Sequence, residues 1–310
     1  MPESGPKEYT EDDLLELFDR VSNTGRWGDD DELGTLNYIT PEKRVAAAKL
    51  VALGETLSLA RPLSTEQTPA NPSPPVHFMV AASRANPSAS ALDYFGGAPH
   101  GRAFTHLDAV AHNNFEGRVY NGRRAEDVYQ PKGLTFGSSF AQRHGIFTRG
   151  VLLDIARTRG VPYLEPDQGV TVSDLEAAEQ AQGVRVESGD VLLLHIGYLE
   201  FERATGRYGN IFTGQFAGLT PDTIEWLHER EVAVYGGDCI EQNHPSERFN
   251  HLPLHRIAIP SMGLILVDYP DVESLAARCA ELARWEFLFT MAPIALPKAT
   301  GSFINPIAVF

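Results

Sequence analysis

Cysteine is scarce in this sequence, whose 310 residues include only two, Cys239 and Cys279. They form no Cys-x-x-Cys pair, and two cysteines cannot build the disulfide framework typical of small secreted domains. Long apolar runs are also missing, since none approaches the roughly 18 residues of a membrane-spanning helix. The first residues, MPESGPKEYTEDD, lack the basic-then-apolar pattern of a secretory signal peptide. These absences predict a cytoplasmic protein that has no membrane partner.

Basic residues are also few relative to acidic residues. The formal net charge is −15, because 26 lysines and arginines face 41 aspartates and glutamates. Nucleic acids and anionic membranes require a basic surface, so neither is expected as a partner. The sequence also lacks a glycine-rich phosphate loop after a predicted strand and a Gly-x-Ser-x-Gly nucleophile elbow. A nucleotide-binding Rossmann protein and a serine-dependent α/β-hydrolase are therefore not supported.

Predicted strands and helices alternate irregularly along the chain, with long loops between them. Thr10 and Asp271 are placed to cap helices, and Gly183 is placed to end one. Buried strands are predicted from apolar runs at residues 151–156, 191–196, 232–235 and 264–267. This pattern favours a mixed α/β domain over a parallel Rossmann sheet. With 43% hydrophobic residues, the chain is long enough to bury a substantial core.

Side chains able to bind a metal ion are concentrated at residues 100–112, which contain three histidines and an aspartate. If residues 103–109 are extended, Phe104, His106 and Asp108 project from one face of the strand. The His106 imidazole and the Asp108 carboxylate would then converge, and zinc, manganese and iron accept both ligand types. The His-x-Asp spacing also arises by chance, and a single histidine is more often a hydrogen-bonding residue. Spacing alone leaves both interpretations open.

The run THLDAVAH, residues 105–112, resembles the T-H-x-D-A-x-x-H core of the cyclase superfamily of metal-dependent hydrolases. Kynurenine formamidases and isatin hydrolases belong to this superfamily, and the flanking HG and EGRVYNG segments resemble its longer bacterial branch. The similarity continues through VLLDIAR, SGDVLLLHIG, EFLFTMAPI and NPIAVF, and so extends over most of the chain. The resemblance implies a swivelling β/β/α fold with a mixed sheet, one domain over residues 1–310, and a homo-oligomer.

The resemblance also implies a divalent metal ion, zinc or manganese. The matching ligands are His106, Asp108, His255 and Asp268. At the position of Asp268 the formamidases carry a glutamate, so the reach of this side chain is one methylene shorter.

The main departure from the superfamily pattern is Arg102, because formamidase-type members have a histidine ligand at that position. Arginine stays protonated and cannot ligate a metal ion. Either His100 replaces the missing ligand, or the site has fewer protein ligands. One metal ion per chain is therefore expected instead of two.

The resemblance assigns proton transfer to His112 instead of metal binding. A bound ion would activate water, and His112 would act as general acid and base. The expected activity is hydrolysis of an amide, formamide or lactone-type bond in a small cyclic or aromatic substrate. Arg102, Phe104 and Trp27 are candidate substrate contacts, although each aromatic ring is individually more often a packing residue.

Three alternatives use the same residues. The site could catalyse a cyclisation or dehydration in place of hydrolysis. His106, Asp108 and His255 also match the two-histidine, one-carboxylate triad of non-haem iron oxygenases, which would predict an all-β jelly roll. Finally, the protein could be a non-catalytic binding protein that lost a metal ligand at Arg102.

Overall fold

A computed structural model describes residues 8–81, 90–208 and 216–310. The helices in these ranges are α1 (Glu11–Arg20), α2 (Pro41–Ala48), α3 (Ala125–Val128), α4 (Ile155–Arg159), α5 (Val172–Gln182), α6 (Tyr198–Thr205), α7 (Asp222–Glu229), α8 (Pro253–Ile257) and α9 (Val272–Leu282). Short 3₁₀ turns lie at Gly34–Tyr38, Tyr120–Gly122 and Ser139–Gln142, and a π-helical turn follows α8 at Ala258–Met262. No helix in the described part of the chain is both long enough and apolar enough to cross a membrane.

The strands are β1 (Thr56–Ser58), β2 (Val76–Ala81), β3 (Leu92–Gly96), β4 (His106–Asp108), β5 (Tyr129–Gln130), β6 (Gly133–Leu134), β7 (Ile146–Asp154), β8 (Gly169–Val170), β9 (Val191–His195), β10 (Gly218–Leu219), β11 (Val234–Gly237), β12 (Ile265–Asp268), β13 (Glu286–Met291), β14 (Gly301–Phe303) and β15 (Ile307–Val309). Within the described ranges, nine of them form one sheet in the order β1-β15-β13-β7-β9-β11-β12-β4-β14. Strands β7, β9, β11 and β12 run parallel, and the flanking strands pair antiparallel. The predicted mixed α/β architecture is confirmed.

Both faces of the central sheet are buried, which explains why its strands read as continuous apolar runs. Along β9, Leu192 and Leu194 pack into the core on one face, and Val191 and Leu193 pack into the core on the other. Helices α5 and α7 contribute to the first core, and α9 contributes to the second. Burial on both faces is what a helix-covered parallel sheet requires.

Helix termini follow the local signals in the sequence. The Thr10 side chain accepts a hydrogen bond from the backbone N–H of Asp13, and the Asp13 carboxylate accepts one from the N–H of Thr10. Asp271 caps α9 in the predicted way. Gly183 ends α5 in the left-handed conformation, at φ 64°. These three predictions are confirmed, because capping depends on neighbouring residues alone.

The strand predicted at residues 151–156 was placed wrongly. β7 begins earlier, at Ile146, and ends at Asp154. The Asp154 carboxylate then accepts a hydrogen bond from the backbone N–H of Arg157, and α4 begins at Ile155. Asp154 is therefore both the last residue of β7 and the cap of α4.

The extended segment predicted at residues 103–109 is also shorter than expected. β4 spans His106–Asp108 alone, and a turn precedes it. His106 pairs with Asp268 on one side and Phe303 on the other, which are the last residues of β12 and β14. The strand pairing ends at these residues, and Arg102 lies in the turn before β4.

Candidate metal centre

The candidate site begins on β4, which lies between β12 and β14 in the sheet. His106 and Asp108 are two residues apart on this strand and therefore share a face. Asp268, the last residue of β12, pairs directly opposite His106 and projects from the same side. All three side chains are buried. His255 joins them from α8.

These four side chains, which we call the ligand quartet, form a closed ring of facing nitrogen and oxygen atoms. His106 Nε2 lies 3.6 Å from Asp108 Oδ1 and 3.7 Å from Asp268 Oδ2. His255 Nε2 lies 3.5 Å from Asp268 Oδ2 and 4.0 Å from Asp108 Oδ2. The chain thus brings together all four residues that the sequence comparison with the superfamily suggested as ligands.

Both imidazoles of the quartet are oriented through their Nδ1 atoms. His106 Nδ1 lies 3.1 Å from the carbonyl oxygen of Phe104 and donates to it. His255 Nδ1 makes a close contact with Glu241 Oε1. The Glu241 carboxylate is itself held by the backbone N–H groups of Leu254 and His255, at 2.6 and 3.1 Å. Hydrogen bonding of this kind at one ring nitrogen directs the other toward a metal ion.

The geometry of the quartet fits a divalent ion. Separations of 3.5–4.0 Å exceed ordinary hydrogen-bond lengths. Two ligands bound tetrahedrally to one ion at 2.0–2.2 Å are about 3.3–3.6 Å apart, close to these separations. In addition, Asp268 Oδ1 is buried and has no hydrogen-bond partner within the described residues. A buried carboxylate oxygen without a donor is costly, and a cation bound through both oxygens of Asp268 would satisfy it.

The electrostatics of the quartet are dominated by burial and by the facing charges. Burial alone would raise the pKa of Asp108, but His112 and the hydrogen bond from His100 hold that pKa well below its ordinary value. Burial would likewise lower the pKa of His255, but the Asp268 and Glu241 carboxylates raise it well above its ordinary value. The carboxylates and imidazoles of this site therefore interact strongly with one another.

His100 lies beside the quartet, with both ring nitrogens engaged. Its Nδ1 atom lies 2.8 Å from Asp108 Oδ1, and its Nε2 atom lies 2.9 Å from Thr300 Oγ1. His100, Asp108 and His112 form a second group of possible ligand atoms within 4.8 Å of one another. To bind a metal ion, His100 would have to lose one of its two hydrogen bonds. As arranged, it orients the Asp108 carboxylate.

His112 faces the other oxygen of Asp108, with its Nε2 atom 3.6 Å from Oδ2. Its ring stacks on that of His100, with the ring centroids 3.8 Å apart. Burial lowers the pKa of His112 to about 4, although the Asp108 carboxylate opposes the shift. The imidazole is consequently neutral at pH 7 and able to accept a proton.

The quartet opens into a cavity of about 260 Å³ that His112 and Arg102 also line. Arg102 reaches it from the turn before β4, where its Nη1 atom donates to the Tyr198 hydroxyl at 3.3 Å. The predicted aromatic contacts Trp27 and Phe104 do not line this cavity. Trp27 packs edge-on against Tyr38 with ring centroids 5.1 Å apart, and Phe104 is buried against Phe303. Both rings serve packing, so the predicted aromatic wall is not formed by them.

Two residues of the site, Glu241 and Asn113, were not predicted from the sequence. Asp238, which follows β11, lies outside the cavity lining and accepts backbone hydrogen bonds from Ile196 and Tyr198. The acidic residue that supports the site is instead Glu241. Asn113 lines the cavity, and its position directly after His112 could have indicated this.

Comparison with known proteins is consistent with this geometry. The family model for cyclases matches residues 57–244. The chain belongs to the cyclase family. No protein with a curated description matches it.

The crystal structure of a novel cyclase superposes on this member of the cyclase family with a TM-score of 0.83 and 31% sequence identity. The alignment covers 94% of this chain and 99% of that one. Isatin hydrolase A from Labrenzia aggregata, bound to benzyl benzoate, aligns at 16% identity and a TM-score of 0.57, covering 84% of this chain and 94% of that one. An isatin hydrolase bound to the product analogue thioisatinate aligns at 15% identity and a TM-score of 0.58, covering 87% and 99%. At these low identities the two isatin hydrolases show a shared fold.

Proposed function

We propose that this cyclase-family protein is a metal-dependent hydrolase of an amide, formamide or lactone-type bond in a small cyclic or aromatic molecule. The observation that carries the proposal is the ligand quartet, in which two Nε2 atoms and two carboxylates lie 3.5–4.0 Å from their neighbours in a ring. Ligand atoms of His106, Asp108 and Asp268 also lie within 4.8 Å of one another. His112 stands beside this ring, at the opposite oxygen of Asp108. Ligands and a neutral imidazole opening into one cavity are the parts that such a hydrolysis needs.

The quartet would hold one divalent ion per chain, zinc or manganese. When bound, the ion would supply Lewis acidity and lower the pKa of water toward about 7. Other residues of the chain hold the ligands in position. Glu241 and the Phe104 carbonyl keep the two imidazoles turned toward the ion, and His100 fixes Asp108 through the 2.8 Å contact.

His112 would move the proton that hydrolysis requires. As a neutral imidazole lining the cavity, it can take a proton from water and return it to the leaving nitrogen or oxygen. Arg102, on the cavity wall, can donate hydrogen bonds to a carbonyl or carboxylate oxygen of the substrate. A cyclisation or dehydration would use the same residues in the same positions.

Two alternatives lose support from the structure. The non-haem iron oxygenase interpretation predicted an all-β jelly roll, whereas the sheet contains four parallel strands covered by helices. The binding-protein interpretation rested on a missing ligand at Arg102. Because the quartet closes without that position, the substitution does not leave the ring incomplete.

The test combines metal analysis with a panel of formanilide, isatin and an aromatic lactone. We expect about one zinc or manganese ion per chain. We also expect hydrolysis of at least one substrate class, lost after chelation and restored by the metal. Turnover that persists without metal, or no turnover by fully metallated protein, would contradict the proposal. Oxygen-dependent turnover would restore the oxygenase interpretation.

A further inference from the structure

Two arginines line the cavity, and neither has a carboxylate within ion-pair distance among the described residues. Arg102 is hydrogen-bonded to Tyr198 and lies 5.9 Å from the centre of the Phe216 ring. Arg256 donates through Nη1 to the carbonyl oxygen of Asn114 at 3.1 Å. The chain has a net charge of −15, so its carboxylates outnumber its lysines and arginines. Guanidinium groups that line a cavity without forming an ion pair have N–H donors that can bind an anionic ligand.

Arg256 is the better placed of the two relative to the ligand quartet. It follows His255 directly on α8, so one helix fixes both the imidazole and the guanidinium. Its contact with Asn114 uses one of five N–H donors and orients the planar group. The nearest acidic side chain at the site, Glu241, is already engaged by His255 and two backbone N–H groups. The remaining N–H donors of Arg256 are therefore available to a ligand.

The amide of Asn113 is a second polar group that lines the cavity together with Arg256. The residue is 9% exposed and lines the cavity, yet its side chain makes no hydrogen bond within the described part of the chain. Its amide therefore has donors and an acceptor that a ligand in the cavity can use. Arg256 Nη1 donates to the carbonyl oxygen of Asn114, the residue that follows Asn113, and Arg256 and Asn113 both line the cavity.

We propose that the substrate carries a carboxylate beside its scissile bond, and that Arg256 and the Asn113 amide bind this carboxylate. The inference rests on the proposed hydrolase function, but the binding of a carboxylate by these residues can be measured separately. A planar guanidinium matches a carboxylate with two parallel hydrogen bonds. The amide N–H₂ group of Asn113 can donate a third. Because α8 also carries His255, the carboxylate would lie at a fixed distance from the quartet.

The test compares two probes of the same shape, isophthalate and 3-nitrobenzoate, binding to the metal-loaded protein by calorimetry. Each has one carboxylate that can reach the metal ion, and they differ in whether the second group is charged. The two carboxylates of isophthalate are too far apart to chelate one ion. We expect the wild type to prefer isophthalate, and Arg256→Gln to weaken isophthalate binding about 10- to 100-fold while 3-nitrobenzoate changes little. Arg256→Lys, which keeps the charge and protects the fold, should retain part of the preference.

Arg143→Gln is the matched control, because Arg143 also donates Nη1 to a backbone carbonyl, that of Phe140 at 3.0 Å, but lies outside the cavity lining. This variant should leave both affinities unchanged. A wild type without preference, or equal weakening of both probes in Arg256→Gln, would overturn the proposal. Loss of the preference in Arg102→Gln alone would overturn it as well and assign the anion to Arg102. Metal analysis of each sample distinguishes this failure from failure of the hydrolase proposal.

Discussion

Two groups of carboxylates and imidazoles lie at the same edge of the main sheet, but only one has the geometry of a metal site. The first, which we call the strand-end cluster, consists of Asp154, His195 and Asp238. These residues end β7, end β9 and follow β11. The second is the ligand quartet, whose Asp268 ends the neighbouring strand β12. Both groups combine buried aspartates with histidine, so composition does not distinguish them.

The strand-end cluster satisfies its own hydrogen bonds. Asp154 Oδ1 accepts from His195 Nδ1 at 2.8 Å and from the backbone N–H of Arg157 at 3.1 Å. Asp238 accepts from the backbone N–H groups of Ile196 and Tyr198, at 3.0 and 2.8 Å. Every carboxylate oxygen of this cluster therefore faces a donor of the chain.

The ligand quartet differs in that one of its carboxylate oxygens lacks a donor. Asp268 Oδ1 has no partner in the described residues, and Oδ2 lies 3.5 and 3.7 Å from two imidazole nitrogens. A buried carboxylate oxygen without a donor is costly unless a cation satisfies it. The comparison teaches that an unpaired carboxylate oxygen, and not the residue types, distinguishes the two groups.

The largest effect is expected when one residue at a time is removed from each group, His106 or Asp108 from the ligand quartet and His195 from the strand-end cluster. His106→Ala and Asp108→Ala should lose the bound metal, from about one ion per chain to a trace, because each removes a direct ligand. His195→Ala should keep its metal, since the ring lies in the strand-end cluster. Elemental analysis of the purified proteins measures both. Full occupancy in His106→Ala and Asp108→Ala, or metal loss in His195→Ala, would break the distinction between the groups.

A smaller effect is expected when the proton-transfer residue is changed and the ligands are kept. His112→Asn should lower kcat about 10²- to 10⁴-fold, the usual contribution of a general acid or base. Metal content should stay at the wild-type level, because the quartet does not include His112. If the variant loses its metal, His112 is a ligand and Asp108 is shared between two ion positions. Unchanged activity with metal retained would contradict the proposed role.

Features of the site that depend on neighbouring residues could be predicted from the sequence, and features that depend on distant residues could not. The convergence of His106 and Asp108 depends on two residues of one strand, and spacing alone indicated it. Asp268 and His255 required the register of β12 and the position of α8, which pairing over long distances decides. Only the resemblance to a family suggested them. The same limit explains the extended segment predicted at residues 103–109, of which only His106–Asp108 pair with neighbouring strands.

Spacing also gave no means of separating the two groups of titratable residues. His195 and Asp238 follow apolar strands, as Asp268 does, and all of them could have faced the cavity. The backbone N–H groups of Ile196 and Tyr198, after β9, donate to both oxygens of Asp238. This carboxylate is therefore not part of the cavity lining. Glu241 was missed for the opposite reason, since its function depends on α8 folding back over it.

A third change tests whether the carboxylate behind His255 supports metal binding. Glu241→Gln should weaken metal affinity about 10- to 100-fold, the usual effect of altering a residue that orients a ligand. Asp154→Asn is the matched control, because Asp154 holds His195 in the same manner but outside the quartet. Competition with a metal-binding dye measures both affinities. Equal affinities in Glu241→Gln and wild type would remove Glu241 from the site, and circular dichroism checks that both variants are folded.

The smallest expected effect concerns the stability of the strand-end cluster and its dependence on pH. Burial would lower the pKa of His195, but the hydrogen bond to Asp154 and the charges of Asp238 and Glu273 raise it overall. A histidine whose pKa is raised on folding stabilises the protein below its unfolded pKa of about 6.5. That stabilisation is lost as the pH rises through the higher pKa of the folded state.

His195→Asn keeps a donor at this position but cannot take up a proton, so it isolates the contribution of the charge. Urea unfolding of both proteins between about pH 5.5 and pH 9 measures the difference in the free energy of unfolding. Wild type should be more stable than the variant by about 1.5–3 kcal/mol at the acidic end, the range for a hydrogen bond to a charged group. The difference should shrink as the pH rises past about 6.5, because the wild-type imidazole then loses its proton in the folded state also. A difference that stays constant would mean that the His195–Asp154 contact stabilises the fold as a neutral hydrogen bond. A difference that grows with pH would require a lowered pKa for His195, and the strand-end cluster would then lack the net negative charge that its two aspartates imply.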